Sequence, residues 1–149
     1  MKLAATIAAL ALLGCAAEKA SPQNQLMGAW GVVLPSMCVF SIKFDGGKYS
    51  DAITCLLAAG GAGGEVTRGT YVASDSTVTL RPTRASCAPD DHPAETIEYA
   101  LVGDQLKLGF PKLALLLERL DETQASSGSI VFGCWDGDTF TPGELASVN

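Results

Sequence analysis

The sequence predicts an all-β fold, a small antiparallel barrel or sandwich of about eight or nine short strands. Three observations lead there. Apolar and polar residues alternate along several short runs, so each run offers one face to a core and the other to solvent. Turn signals separate these runs at regular spacing. No repeat of solenoid length competes with this pattern. The chain has 149 residues, 48% hydrophobic and 17% charged, enough for one compact domain with a core.

Residues 1–14 form a segment of their own. Lys2 gives a short positive start, and Leu3 to Leu13 is an apolar and small run interrupted by one hydroxyl, Thr6. A bilayer core needs roughly 20 apolar residues, whereas the apolar stretch of an export signal needs about 7–15. The run ends in Leu12-Leu13-Gly14-Cys15, which resembles the lipobox of bacterial lipoproteins. That resemblance implies diacylglycerylation of the Cys15 sulfur, cleavage before Cys15 and acylation of its new amino group. Several acyl chains on one residue anchor a protein stably, where a single chain does not. In enteric-type bacteria, Ala16 in place of Asp would further imply sorting to the outer membrane. Losing Lys2 with the signal takes the net charge from −6 to −7. Residues 15–25 have no apolar period and read as a lipidated, flexible tether. The β domain is expected over residues 26–149.

The strands follow in order. Gly28–Leu34 reads as the first. In Cys38–Cys55, Phe40, Ile42 and Phe44 alternate with Val39, Ser41 and Lys43 about a Gly46-Gly47 turn. That turn pairs Phe44 with Tyr49, Phe40 with Ile53, and Cys38 with Cys55. Residues 58–64, AAGGAGG, read as a flexible loop. Around an Asp75-Ser76 turn, Tyr71 meets Leu80 and Ala73 meets Val78. Residues 84–95 form a polar, Pro-containing loop. A Gly103-Asp104 turn, glycine first as type II′ requires, sets Leu101 against Leu106, Tyr99 against Leu108, and Ile97 against Phe110. KLALLLERL, residues 112–120, is ambiguous by period; a strand returning from that hairpin is expected, with a short helix as the alternative. Ser129–Trp135 reads as a last strand, and FTPGEL after it lacks alternation.

With Cys15 assigned to lipid, Cys38, Cys55, Cys87 and Cys134 remain. An even number in an exported chain suggests two disulfides with three possible connectivities. The hairpin register makes Cys38 and Cys55 a close non-hydrogen-bonded pair, within bridging range. Cys87–Cys134 follows by elimination.

Gly28-Ala29-Trp30 is similar to the Gly-x-Trp signature that opens lipocalins and lipocalin-like bacterial domains. The GTY and LVGDQLKL segments have similar spacing. The resemblance implies an up-and-down barrel, closed at one end by Trp30 under an arginine from a late strand, for which Arg119 is the match. A META-type lipoprotein domain is a second resemblance, in the same compartment.

Catalytic signals are few. His92 is the only histidine, which excludes a His-rich metal site. A Cys87–His92 nucleophile pair is conceivable, but an oxidising compartment makes Cys87 a disulfide partner. No G-x-S-x-G elbow, P-loop, Rossmann fingerprint or H-E-x-x-H occurs. Asp136 and Asp138 offer oxygens for Ca²⁺ but read better as an Asp-Gly turn. Trp135 and Phe140 read as a plug for one barrel end, with an exposed aromatic patch as the alternative. The register places Asp51 inside, opposite Ile42, where an unpaired carboxylate is costly. Either burial ends at that level, the simpler reading, or the interior there is wet.

Ten Lys and Arg are scattered singly and the pI is about 4.6, so no nucleic-acid surface is expected. No cofactor, metal or enzymatic activity is expected. The expectation is a lipid-anchored envelope protein, membrane-bound through Cys15, whose barrel binds a small apolar ligand or an envelope protein. The ligand cavity would be lined by Phe40, Ile42, Asp51, Tyr99 and Leu108. The alternative is a closed META-like barrel with a structural or assembly role.

Overall fold

A computed structural model describes residues 20–58, 60–121 and 130–148. Residues 1–14, expected to be an export signal, and Cys15 lie outside them. Eight strands run up and down in chain order: β1 Gly28–Val33, β2 Val39–Asp45, β3 Lys48–Leu56, β4 Ala62–Ala73, β5 Thr77–Ala85, β6 Glu95–Val102, β7 Gln105–Phe110 and β8 Leu113–Leu120. Each pairs antiparallel with the next, and β8 closes on β1 through Ala29–Leu120, Trp30–Arg119 and Gly31–Glu118. The fold is thus all-β, a closed antiparallel eight-stranded barrel with extra strands attached.

Turn chemistry sets the registers. The Gly46-Gly47 turn pairs Asp45 with Lys48 and Phe44 with Tyr49, and the ladder runs outward to Val39–Thr54. One step further, Cys38 and Cys55 are joined with Cα atoms 4.2 Å apart. The Gly103-Asp104 turn sets Leu101 against Leu106 and Tyr99 against Leu108. The Asp75-Ser76 turn sets Tyr71 against Leu80 and Ala73 against Val78. Residues 113–120 form a strand, whose backbone groups are satisfied by pairing with β7 on one side and β1 on the other.

Two expected boundaries change. Residues 22–25, expected to belong to a flexible tether, are helical: Pro22–Leu26 is a short helix, α1, capped by the Ser21 hydroxyl, which accepts from the Asn24 N–H at 3.3 Å. A helix forms there because Pro22 presets the first turn and Leu26 gains a buried site. The loop expected over 58–64 is shorter, since β4 already begins at Ala62. Its first residues pair on the other side with β9 (Ile130–Asp136), which runs parallel to them through Ala62–Ile130, Gly63–Val131 and Gly64–Phe132. β10 (Thr139–Pro142) folds back on β9, and β11 (Ala146–Ser147) pairs with Arg84 and Ala85 of β5. The Asp136–Asp138 segment is the β9–β10 turn.

β4 pairs with β5 from Thr67 onward and with β9 over Ala62–Gly64, and its register against β5 shifts between Arg68 and Gly69. At Gly69 a side chain would run into the Arg81 carbonyl oxygen and the Tyr49 ring. Gly69→Ala is therefore expected to lower stability by about 1–3 kcal/mol through overpacking, measured by urea unfolding; a loss near zero would show that β5 shifts freely.

Candidate functional site

The two ends of the barrel differ in chemistry. At one end α1 lies across the opening and Leu26 fills it. Trp30, fully buried, donates its indole N–H to the Leu26 carbonyl at 2.9 Å. Tyr71 donates its hydroxyl to the Gln23 carbonyl at 3.2 Å. Arg119 stacks its guanidinium 4.1 Å from the centre of the Trp30 ring and donates to the Met27 carbonyl at 3.0 Å. Gly28 must be glycine: its φ is +116°, and a Cβ there would sit 2.7 Å from the Arg119 Nη1. Trp30 and Arg119 are thus brought together as the Gly-x-Trp resemblance implies, and this end is sealed.

The interior beside the seal is solid. Ile42 and Leu108 are fully buried, Phe40 packs edge-on against Phe110, and Tyr99 donates its hydroxyl to the Ser74 carbonyl at 2.6 Å. Phe40, Ile42, Tyr99 and Leu108, expected to line an apolar cavity with Asp51, are among the buried residues of the described core. An eight-stranded barrel is just wide enough for its own side chains to fill, and these four belong to one packed core.

The other end carries a cavity of about 330 Å³. Its floor is built from inward-facing residues: Tyr49 and Asp51 of β3, Thr67 of β4, Leu80 and Pro82 of β5, Glu95 of β6 and Phe110 of β7. Asp91 to Ala94, following a short 3-10 turn at Pro89–Asp91, form its lip. Of the expected cavity residues only Asp51 lines it. Asp51 does face Ile42 across the β2–β3 ladder, and it is half-buried where full burial along β3 ends: beyond Tyr49 no residue of this strand is fully buried, and Asp51 lines the polar recess at that level. Thr67, opposite Asp51, and Glu95, opposite Leu80, sat on strands whose inward faces the hairpin registers specify only once β4–β5 and β5–β6 are joined.

Burial raises the Asp51 carboxyl to about 7, while hydrogen bonds from Thr67 and the nearby His92 pull it down. Burial also raises the Tyr49 phenol, and the charges of Asp51 and Glu95 add to that shift. For stability the sign is definite. A carboxyl at 3.8 when unfolded and about 7 when folded binds more protons in the native state, so stability falls as pH rises between those values. Asp51→Asn should flatten that slope in urea titrations at about pH 5 and about pH 8. An unchanged slope would mean that other groups set it.

Elsewhere the chemistry is structural. Cys87 is bonded to Cys134, and the His92 Nε2 donates to the Cys87 carbonyl at 2.7 Å, so no thiolate–imidazole pair forms. Glu65 lies with both of these sulfurs within 4.8 Å. Joined in a disulfide, the sulfurs offer no thiolate to a metal. Glu65 instead accepts the Trp135 backbone N–H at 2.6 Å. Trp135 and Phe140 stack across β9–β10 with centroids 5.0 Å apart, away from the sealed end. No family model, curated protein or solved structure matches this chain.

Proposed function

We propose that this chain is a lipid-anchored binding protein of the bacterial cell envelope, held by acyl groups on Cys15, whose barrel mouth takes a small polar ligand. One observation carries the ligand reading: the barrel is sealed at the Trp30 end and recessed at the other over inward-facing polar groups. A cavity near 300 Å³ is at the small end of ligand sites, and convergent polar groups with a shifted ionisation are typical of them. The lipobox residues support the anchor. Residues 15–20 reach at most ~20 Å, which would hold the α1 end toward the membrane and turn the mouth away.

A second reading has its own observation. Val33, Met37 and Leu56 are exposed around the same open end, which favours a protein partner docking on that rim. The anchor is tested by Cys15→Ser, which should abolish incorporation of labelled palmitate and move the protein out of the detergent phase. Retained label would overturn it. Native mass spectrometry of the mature protein separates the ligand readings: a small adduct lost on Asp51→Asn supports the mouth, whereas a stoichiometric envelope protein lost on Leu56→Glu supports the rim.

A further inference from the structure

Resting on the mouth as a ligand site, we infer that its ligand is a small organic cation, an ammonium group on a short apolar or aromatic body. The cavity has walls of two kinds. Leu80, Pro82 and Phe110 give it an apolar side, and Tyr49 adds a second ring. Asp51, Asp91 and Glu95 bring carboxylates to it from β3, the lip and β6, and among the described residues that line it none is lysine or arginine. His92 is its one basic side chain. Tyr49, Asp51 and Glu95 line the same cavity, and the Tyr49 phenol feels the charges of both carboxylates. An ammonium seated between them would be held by charge-assisted hydrogen bonds and by the aromatic faces.

The half-buried carboxyl makes this more than a patch of surface acid. Asp51 is desolvated within the barrel wall, has hydrogen bonds from Thr67, and faces no lysine or arginine among the described residues that line the cavity, His92 being its basic neighbour. The groups facing it are Tyr49 on its own strand, Thr67 from β4, Glu95 from β6, and Asp91 and His92 from the lip; β2 presents only Ile42. A neutral or anionic ligand would leave that carboxyl as costly to ionise as before. A cation supplies a countercharge that does not depend on protonating His92. Near neutral pH its arrival would drive the Asp51 proton into solvent, so affinity should rise with pH.

The test uses the mature lipoprotein in detergent micelles and three probes of one shape: benzylammonium, benzyl alcohol and benzoate. Binding is read from the Thr67 and Glu95 amide resonances. Benzylammonium should bind at least about tenfold more tightly than benzyl alcohol at pH near 8, with benzoate weakest. The preference should shrink several-fold at pH near 6. Asp51→Asn should remove the pH dependence and most of the preference, with the circular dichroism unchanged. His92→Asn should keep the pH dependence. Equal binding of alcohol or benzoate, or a preference that survives Asp51→Asn undiminished, would overturn the cation while leaving the mouth as the site. If none of the three perturbs the mouth resonances at about 10 mM, far above the affinities of built sites, the mouth reading falls with it.

Discussion

Trp30→Ala is expected to destabilise the domain by about 3–5 kcal/mol, the cost of emptying a fully buried large aromatic site. Three connections fail together. The Leu26 carbonyl loses its buried indole donor, the Arg119 guanidinium loses the ring it covers, and Leu26 loses a wall. α1 has only five residues and no intrinsic stability, so it should leave the barrel end. Trp30→Phe separates the contributions: it keeps most of the volume but strands the carbonyl, and should cost about 1–3 kcal/mol. Urea unfolding with near-ultraviolet dichroism reads both. A loss below about 1 kcal/mol for Trp30→Ala would show that the seal does not depend on this residue.

The second large effect is expected from Cys87→Ser with Cys134→Ser. This bridge closes a separation of 47 residues, against 17 for Cys38–Cys55. Loop-closure entropy puts the two near ~4 and ~3 kcal/mol in the chain-entropy model. The topology widens the gap. β9 touches the barrel ladder at three pairs only, and β11 at two, so the C-terminal strands depend on the bridge. Cys38–Cys55 instead staples a hairpin whose register its own turn already specifies. Removing Cys87–Cys134 should therefore lower the thermal midpoint more and open residues 130–148 to proteolysis first. A larger loss from the Cys38–Cys55 pair, or protection of 130–148 unchanged, would refute this ordering.

Much of the barrel wall was legible in the sequence because hairpins are local. Gly46-Gly47 and Gly103-Asp104 supply the positive φ their turns need, and a period of two then leaves one register in which apolar side chains meet. The same count brought Cys38 to Cys55 without reference to any distant strand. α1 was hidden because five residues of PQNQL carry no period, and only the open barrel end makes burying Leu26 favourable. The parallel β4–β9 contact was hidden because a glycine-rich stretch gives no alternation to read.

The candidate site divides the same way. Asp51 was visible as a carboxylate on an apolar face, a local conflict between residue and position. Its partners were not visible. Thr67, Glu95 and the His92 lip arrive from β4, β6 and the loop between the strands, separated from Asp51 by up to several turns of chain. Whether Phe40, Ile42, Tyr99 and Leu108 enclose a space or fill it depends on the barrel's circumference, which no single hairpin contains.

By itself, then, the sequence determined the strand class, the hairpin registers and the Cys38–Cys55 pairing. Those follow from contacts between residues close in the chain. Only the tertiary structure decided that one end is sealed by Leu26, Trp30 and Arg119 and that the other holds Asp51, Thr67 and Glu95 around a recess. Closing β8 onto β1 fixes how many side chains must share the interior, and that number decides where packing runs out and a polar mouth begins.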